Sequence, residues 1–103
     1  IYVDIDVTVN IKALDNYTTA ITDNIKKSIE SYLNSMKIEN KKLVVSSLWG
    51  VSLQAMSDLS NPTFSITSIT ASRHGKIQST DDIELAFNET CRGNVNYIIA
   101  NVL

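Results

Sequence analysis

The chain is short of the residues on which most site chemistry depends. Its 103 residues include one cysteine, Cys91, and one histidine, His74. A single cysteine excludes an internal disulfide and a cysteine-rich metal site. One histidine without a cysteine pair lacks the companions of a transition-metal ligand set. Only three glycines occur, Gly50, Gly75 and Gly93, far apart in sequence, so there is no glycine-rich phosphate loop. Pro62 is the one proline. Charge is sparse as well: nine Lys and Arg stand against eleven Asp and Glu, 19% of the residues, with a net charge of −2. This balance has no basic footprint, which argues against nucleic acid or an anionic membrane as the main partner. No apolar run approaches the roughly 20 residues of a membrane-spanning helix, and there is no secretory leader pattern.

What is present suits one small globular domain. Hydrophobic residues make up 44% of the chain. At this length folding removes roughly 60–70% of the unfolded chain's surface from water, enough for a modest core. With few charges, the surface relies on Ser, Thr and Asn. The chain opens at Ile1-Tyr2-Val3, inside an alternating pattern and without Met. It is therefore expected to be a single domain, residues 1–103, cut from a longer protein.

Hydrophobic periodicity gives the element order. Val3, Ile5, Val7, Val9, Ile11 and Ala13 alternate with Asp4, Asp6, Thr8, Asn10 and Lys12, which predicts a long strand with one dry and one wet face. After a turn at Asp15-Asn16, Thr18 or Thr19 can cap a helix that runs to about Met36. Ile21, Ile25, Ile29, Tyr32, Leu33 and Met36 form a single stripe about 120° wide for core packing. Asp23 and Lys27 are spaced for an i,i+4 pair on the opposite face. Leu43-Val44-Val45 reads as a short strand or as the lead into a second helix, capped by Ser46 or Ser47 and ending near Ser57 or Leu59. Leu48, Val51, Ala55 and Leu59 share its inner face, and Trp49 is expected to pack there. Gly50 costs that helix about 1 kcal/mol relative to alanine, which a close backbone approach would explain.

Ser60-Asn61-Pro62 ends the second helix, and residues 63–71 read as a strand. The apolar phase slips between Ile66 and Ile69, which predicts a bulge or bend. Residues 72–80 form a polar loop. Asp82 to Phe87 alternates again, with Ile83, Leu85 and Phe87 on one side. Turn chemistry at Arg92-Gly93-Asn94 precedes a final strand from Val95, whose apolar content on both faces suits a position inside the sheet. The expected fold is a two-layer α+β sandwich of order β-α-(β)-α-β-β-β, with two helices on one face of a mostly antiparallel sheet.

Candidates for chemistry are few. Asp4 and Asp6 share the wet face of the first strand. Paired carboxylates serve acid–base chemistry when buried and close, but on a solvated strand they serve to discourage edge pairing. Cys91 and His74 could form a nucleophile and base, yet a lone loop histidine beside a turn cysteine is ordinary. Lys37, Lys41 and Lys42 read as a solvated helix end. Glycosylation sequons at Asn16 and Asn88 are no more than this composition produces by chance. No catalytic, cofactor-binding or metal residue is assigned.

Two phrases are more distinctive, Ser60-Asn61-Pro62-Thr63-Phe64-Ser65-Ile66 and Asp82-Ile83-Glu84-Leu85-Ala86-Phe87-Asn88-Glu89. With the opening strand and the helix containing Tyr32-Leu33-Asn34-Ser35, they resemble the C-terminal domain of baseplate J-like proteins of contractile phage tails. The similarity is greatest to the forms in prophages and tail-like bacteriocins of Gram-positive bacteria. Thr90-Cys91 departs mildly from the small apolar residues that usually follow the Phe-Asn-Glu phrase. The resemblance implies a virion structural protein made in the bacterial host cytoplasm and built into the baseplate. It would have no catalysis and no cofactor, and it would pack against other wedge and hub proteins and further copies of itself. Arg73, His74, Phe87, Asn88 and Glu89 are the candidate assembly contacts. The alternative is a small-ligand-binding regulatory α/β module, which a full strand at Leu43–Val45 would favour.

Overall fold

The alternation that opens the sequence becomes the axis of the fold. In the computed structural model, residues 2–14, 17–35, 42–54, 63–86 and 89–102 are described. Strand β1 spans Tyr2–Ala13. Ile5, Val7, Val9 and Ile11 on its dry face are fully buried. Helix α1 (Thr19–Ser35) buries Ile25, Ile29 and Leu33 against that face, with Ile21 and Tyr32 packed at the margin of the same core. A two-residue strand β2 (Lys42–Leu43) leads to helix α2 (Ser47–Leu53), which buries Leu48 and Val51. Strand β3 spans Phe64–Arg73, β4 Ile83–Glu84, β5 Thr90–Arg92 and β6 Ile98–Val102, with a 3-10 turn at Val95–Tyr97 before the last. The two-layer α+β reading therefore holds, with both helices on one face of the sheet.

β1 is the central strand. β3 runs antiparallel along one edge, from Ile5 opposite Arg73 to Ala13 opposite Phe64. β5 and β6 share the other edge and run parallel to β1: β5 pairs with Tyr2 to Asp4, and β6 pairs with Val7 to Ile11. Antiparallel pairing predominates, and β2 and β4 add a short antiparallel pair of their own. The phase slip in β3 is a bulge, because the register shifts between Asn10 and Ile11. Thr67 is the extra residue, and its hydroxyl donates to the Asn10 carbonyl at 3.0 Å.

Several expectations are corrected. The last strand starts at Ile98 and sits at an edge, since its strand partner among the described residues is β1. Its mixed apolar pattern arises because Ile98 is buried while Ile99 and Val102 are about half exposed. The alternation from Asp82 does bury Ile83 and Leu85, but only Ile83–Glu84 is strand. Trp49 is 39% exposed rather than packed. Ser46 makes no side-chain cap. Asp23 and Lys27 make no ion pair among the described residues, where the bridges are Lys42–Asp82, Arg73–Glu89, His74–Asp6 and Arg92–Asp4. The second helix's expected continuation beyond Gln54, the Asn-Pro phrase and Lys37 and Lys41 lie outside the described residues.

Gly50 is the clearest correction. A Cβ built there meets nothing within 4 Å, and the residue is exposed on α2. Among the described residues no close approach requires glycine, so its backbone entropy is an uncompensated cost. Gly50→Ala is expected to raise stability by about 0.5–1 kcal/mol. Urea unfolding would show this as a higher midpoint with an unchanged slope.

Candidate functional site

The expected contact residues separate onto two sides of the sheet. Arg73 ends β3, and Glu89 precedes β5. They grip one another through two parallel bonds: Arg73 Nη1 donates to Glu89 Oε2 and Nη2 to Oε1, both at 2.8 Å. Nη2 also donates to the Glu84 carbonyl at 2.8 Å. The Ala86 backbone N–H donates to Glu89 Oε1 at 2.7 Å, and the Glu89 N–H returns a bond to the Ala86 carbonyl at 3.0 Å. This bidentate pair, with the Glu84 and Ala86 backbone bonds, ties Glu84, Ala86 and Glu89 to the end of β3. Arg73 and Glu89 thus act first as an internal clasp. Phe87 and Asn88 lie outside the described residues.

The Glu89 carboxyl is drawn down to about 2, chiefly by the Arg73 hydrogen bonds and then by the Ala86 N–H. The sign follows from the depressed value. The contribution is complete above the ordinary carboxyl value of 4.5 and is lost as pH falls toward 2. Glu89→Gln should therefore flatten the loss of stability between those two pH values, as read by thermal melts across an acid series. An unchanged acid profile would show that the clasp does not contribute.

His74 belongs to the other side. Strand β1 carries Asp4 and Asp6 on its wet face, and the structure gives each a side-chain partner, Arg92 for Asp4 and His74 for Asp6. Arg92, beside Asp4 in the parallel register of β5, donates from Nε to Asp4 Oδ1 at 2.8 Å and from Nη2 to Oδ2 at 3.2 Å. These bonds hold the Asp4 carboxyl below its usual range. His74 Nδ1 lies 2.8 Å from Asp6 Oδ1, and the Gly75 N–H donates to Asp6 Oδ2 at 3.0 Å. Gly75 has φ of 84°, a turn geometry that glycine adopts without side-chain strain. The His74 ring stacks on Tyr97 with centroids 4.1 Å apart. The Arg92 guanidinium sits 5.2 Å from the centre of the Tyr2 ring.

Tyr2, Asp4, Asp6, His74, Arg92 and Tyr97 therefore form one ordered cluster at an end of the sheet face turned away from the helices. The expectation that Asp4 and Asp6 repel edge pairing is corrected, because β1 is paired on both edges and both carboxylates are engaged. Beyond the cluster the same face carries a ladder of amide side chains. Asn101 Nδ2 donates to Asn10 Oδ1 at 3.0 Å, and Asn10 Nδ2 donates to Ser68 Oγ at 2.9 Å. This ladder crosses all three rows of the sheet. Arg92, Tyr97 and Tyr2 escape a reading of the sequence as cluster members because their partners are distant in the chain, Arg92 standing 88 residues from Asp4; the parallel register of β5 brings Arg92 to Tyr2 and Asp4.

The groups that chemistry would use are otherwise engaged. Cys91 is 2% exposed, and burial pushes its thiol up to about 11, so at neutral pH it is protonated. His74 faces Asp6, not Cys91. Among the described residues, no three His, Cys, Asp or Glu side chains converge as metal ligands, and no helix is long and apolar enough to cross a membrane. The concave features are shallow. One of about 260 Å³ lies between Trp49, Val45 and Ile69, and another of about 480 Å³ between Ser31, Tyr32 and Val51. No protein-family model matches the chain, and no curated protein matches it in sequence.

Proposed function

We propose that this chain is a non-catalytic assembly module, a stiff two-layer block that holds neighbouring subunits in a fixed arrangement. More particularly, it is the C-terminal domain of a baseplate J-like protein, packing among wedge and hub proteins of a contractile tail. The particular reading rests on the Asn-Pro-Thr-Phe and Ala-Phe-Asn-Glu phrases and the element order. The observation that carries the broader reading is the pre-paired cluster on the open face of the sheet. Asp4 and Asp6 engage Arg92 and His74 within the chain, while the exposed Tyr2 ring, the Arg92 head and the His74–Tyr97 stack remain at the surface. Tyr and Arg held in this way are the residue types that anchor protein interfaces. Rigid side chains also lose little entropy when a partner packs on them.

The small-ligand alternative called for a full strand through Val45, but β2 stops at Leu43. The test of the assembly reading is Tyr2→Ala with Arg92→Ala in tail particles. Particle assembly should fall while the melting temperature of the isolated domain shifts little, because both side chains are exposed. Undiminished assembly would remove the cluster from the interface.

A further inference from the structure

The two outer edges of the sheet are finished differently. The outer edge of β3 is protected. Thr67 bulges out of register, and the returning segment pairs Ser79 with Ala71 through two backbone hydrogen bonds at 3.0 and 3.1 Å. Bulges and covering segments are the usual guards against strand addition. Among the described residues β6 has none of them. Its sequence, Ile98-Ile99-Ala100-Asn101-Val102, contains no charge, no proline and no glycine. Among the described residues its strand partner is β1 on one side only. Ile99 is 50% exposed and Val102 47%. An edge with outward backbone N–H and C=O groups and exposed apolar side chains is a template for another strand.

We propose that β6 pairs antiparallel with β6 of a second copy about a two-fold axis, giving one continuous sheet from β3 to β3. With Ala100 on the axis, Ile99 of each copy lies opposite Asn101 of the other, and Ile98 lies opposite Val102. A second copy is the occupant because the surroundings are self-complementary in charge. Asp23, Lys26 and Lys27 of α1 line a cleft with Val95 and Asn96, directly before β6, and none of the three makes an ion pair among the described residues. A two-fold axis normal to the sheet sets the two α1 helices antiparallel on one face of the joined sheet, so that each copy brings both an acid and bases to its side of the seam. Such an isologous contact closes on itself, and it leaves only the guarded β3 edges outermost. The inference rests on the edge geometry and is independent of the baseplate reading.

The test is sedimentation equilibrium over a dilution series of the chain and two variants. The wild-type chain should pass from 11.4 kDa toward twice that mass as concentration rises. Ile99→Lys, a solvent-side change at the edge, should weaken the dimer at least about tenfold. Adding Asn101→Glu to Ile99→Lys sets opposite charges across the strands twice over and should restore association. Should Ile99→Lys fail to fold by circular dichroism, Asn101→Lys at the exposed neighbouring position takes its place. A wild-type chain that stays monomeric to about 1 mM, or a dimer insensitive to these variants, overturns the proposal. A dimer weakened by Ile99→Lys but not restored by the double variant overturns the register centred on Ala100.

Discussion

Gly93→Ala is expected to destabilise the domain by about 1–3 kcal/mol, the cost of forcing an atom into a packed site. A Cβ at Gly93 would stand 2.9 Å from both Cα and the carbonyl oxygen of Glu30, and 3.0 Å from Leu33 Cβ. Two of these three atoms are helix backbone, which cannot rotate away as a side-chain tip does. The loop cannot slide to relieve the clash either. The Gly93 N–H donates to Asn34 Oδ1 at 2.9 Å, and the Val95 N–H donates to Glu30 Oε2 at 2.9 Å, so α1 holds the 93–95 segment at two points. Movement would sacrifice those bonds, and no movement would keep the overlap. For a domain of this size, a loss of 1 kcal/mol lowers Tm by roughly 4–8 °C. A Gly93→Ala variant that melts with the wild type would show that α1 and the β5–β6 connection are not in the contact described.

Ile29→Ala is expected to cost about 2–5 kcal/mol. Ile29 is fully buried at the middle of the α1 stripe, facing the dry side of β1, so truncation leaves a cavity that neighbours on a sheet and a helix cannot collapse to fill. The gain of alanine's helix propensity returns only a few tenths of a kcal/mol. Ile77→Ala is the matched control. Ile77 is 95% exposed, and its truncation should change stability by no more than about 0.5 kcal/mol. Denaturant midpoints of the two variants measured side by side check the comparison. Equal losses at both positions would contradict the placement of the core.

The two isoleucines show what is legible in a sequence of this kind. Ile29 declares its burial through period, because residues 21, 25, 29 and 33 recur on one helical face. The dry face of β1 declares itself by alternation in the same way, and even the bulge at Thr67 left a trace as a slipped phase between Ile66 and Ile69. These are local signals, and they recovered the α+β class, both helices and the central strand. What period cannot carry is the register between distant strands. The apolar content of residues 95–102 on both faces reads as a strand inside the sheet, and only the pairing with β1 shows that it lies at an edge. The glycines make the same point. Gly50 stands out because it interrupts a helix, yet none of the described residues comes within 4 Å of a Cβ there. Gly93 reads as ordinary turn chemistry, yet it is where helix and loop backbones meet.

The candidate site was half legible for the same reason. His74, Arg73 and Glu89 were singled out, but nothing in the linear order says that Arg73 and Glu89 satisfy each other while His74 turns to Asp6 and Tyr97. Asp4 and Asp6 were seen as a pair on the wet face. Their partners arrive from residues 74 and 92, through a turn after β3 and a parallel strand that leave no pattern in the sequence. A cluster built by long-range register becomes visible only when the register is known.

The most direct test of the assembly account is mass spectrometry of purified tail particles from the bacterium that encodes the chain. Trypsin releases the segment from Ile77 to Arg92, which includes the Ala-Phe-Asn-Glu phrase. The account predicts this peptide in the particle fraction, in several copies per particle. Its recovery only from free soluble protein, with none in the particles, would contradict the baseplate role and leave the fold to be explained by another function.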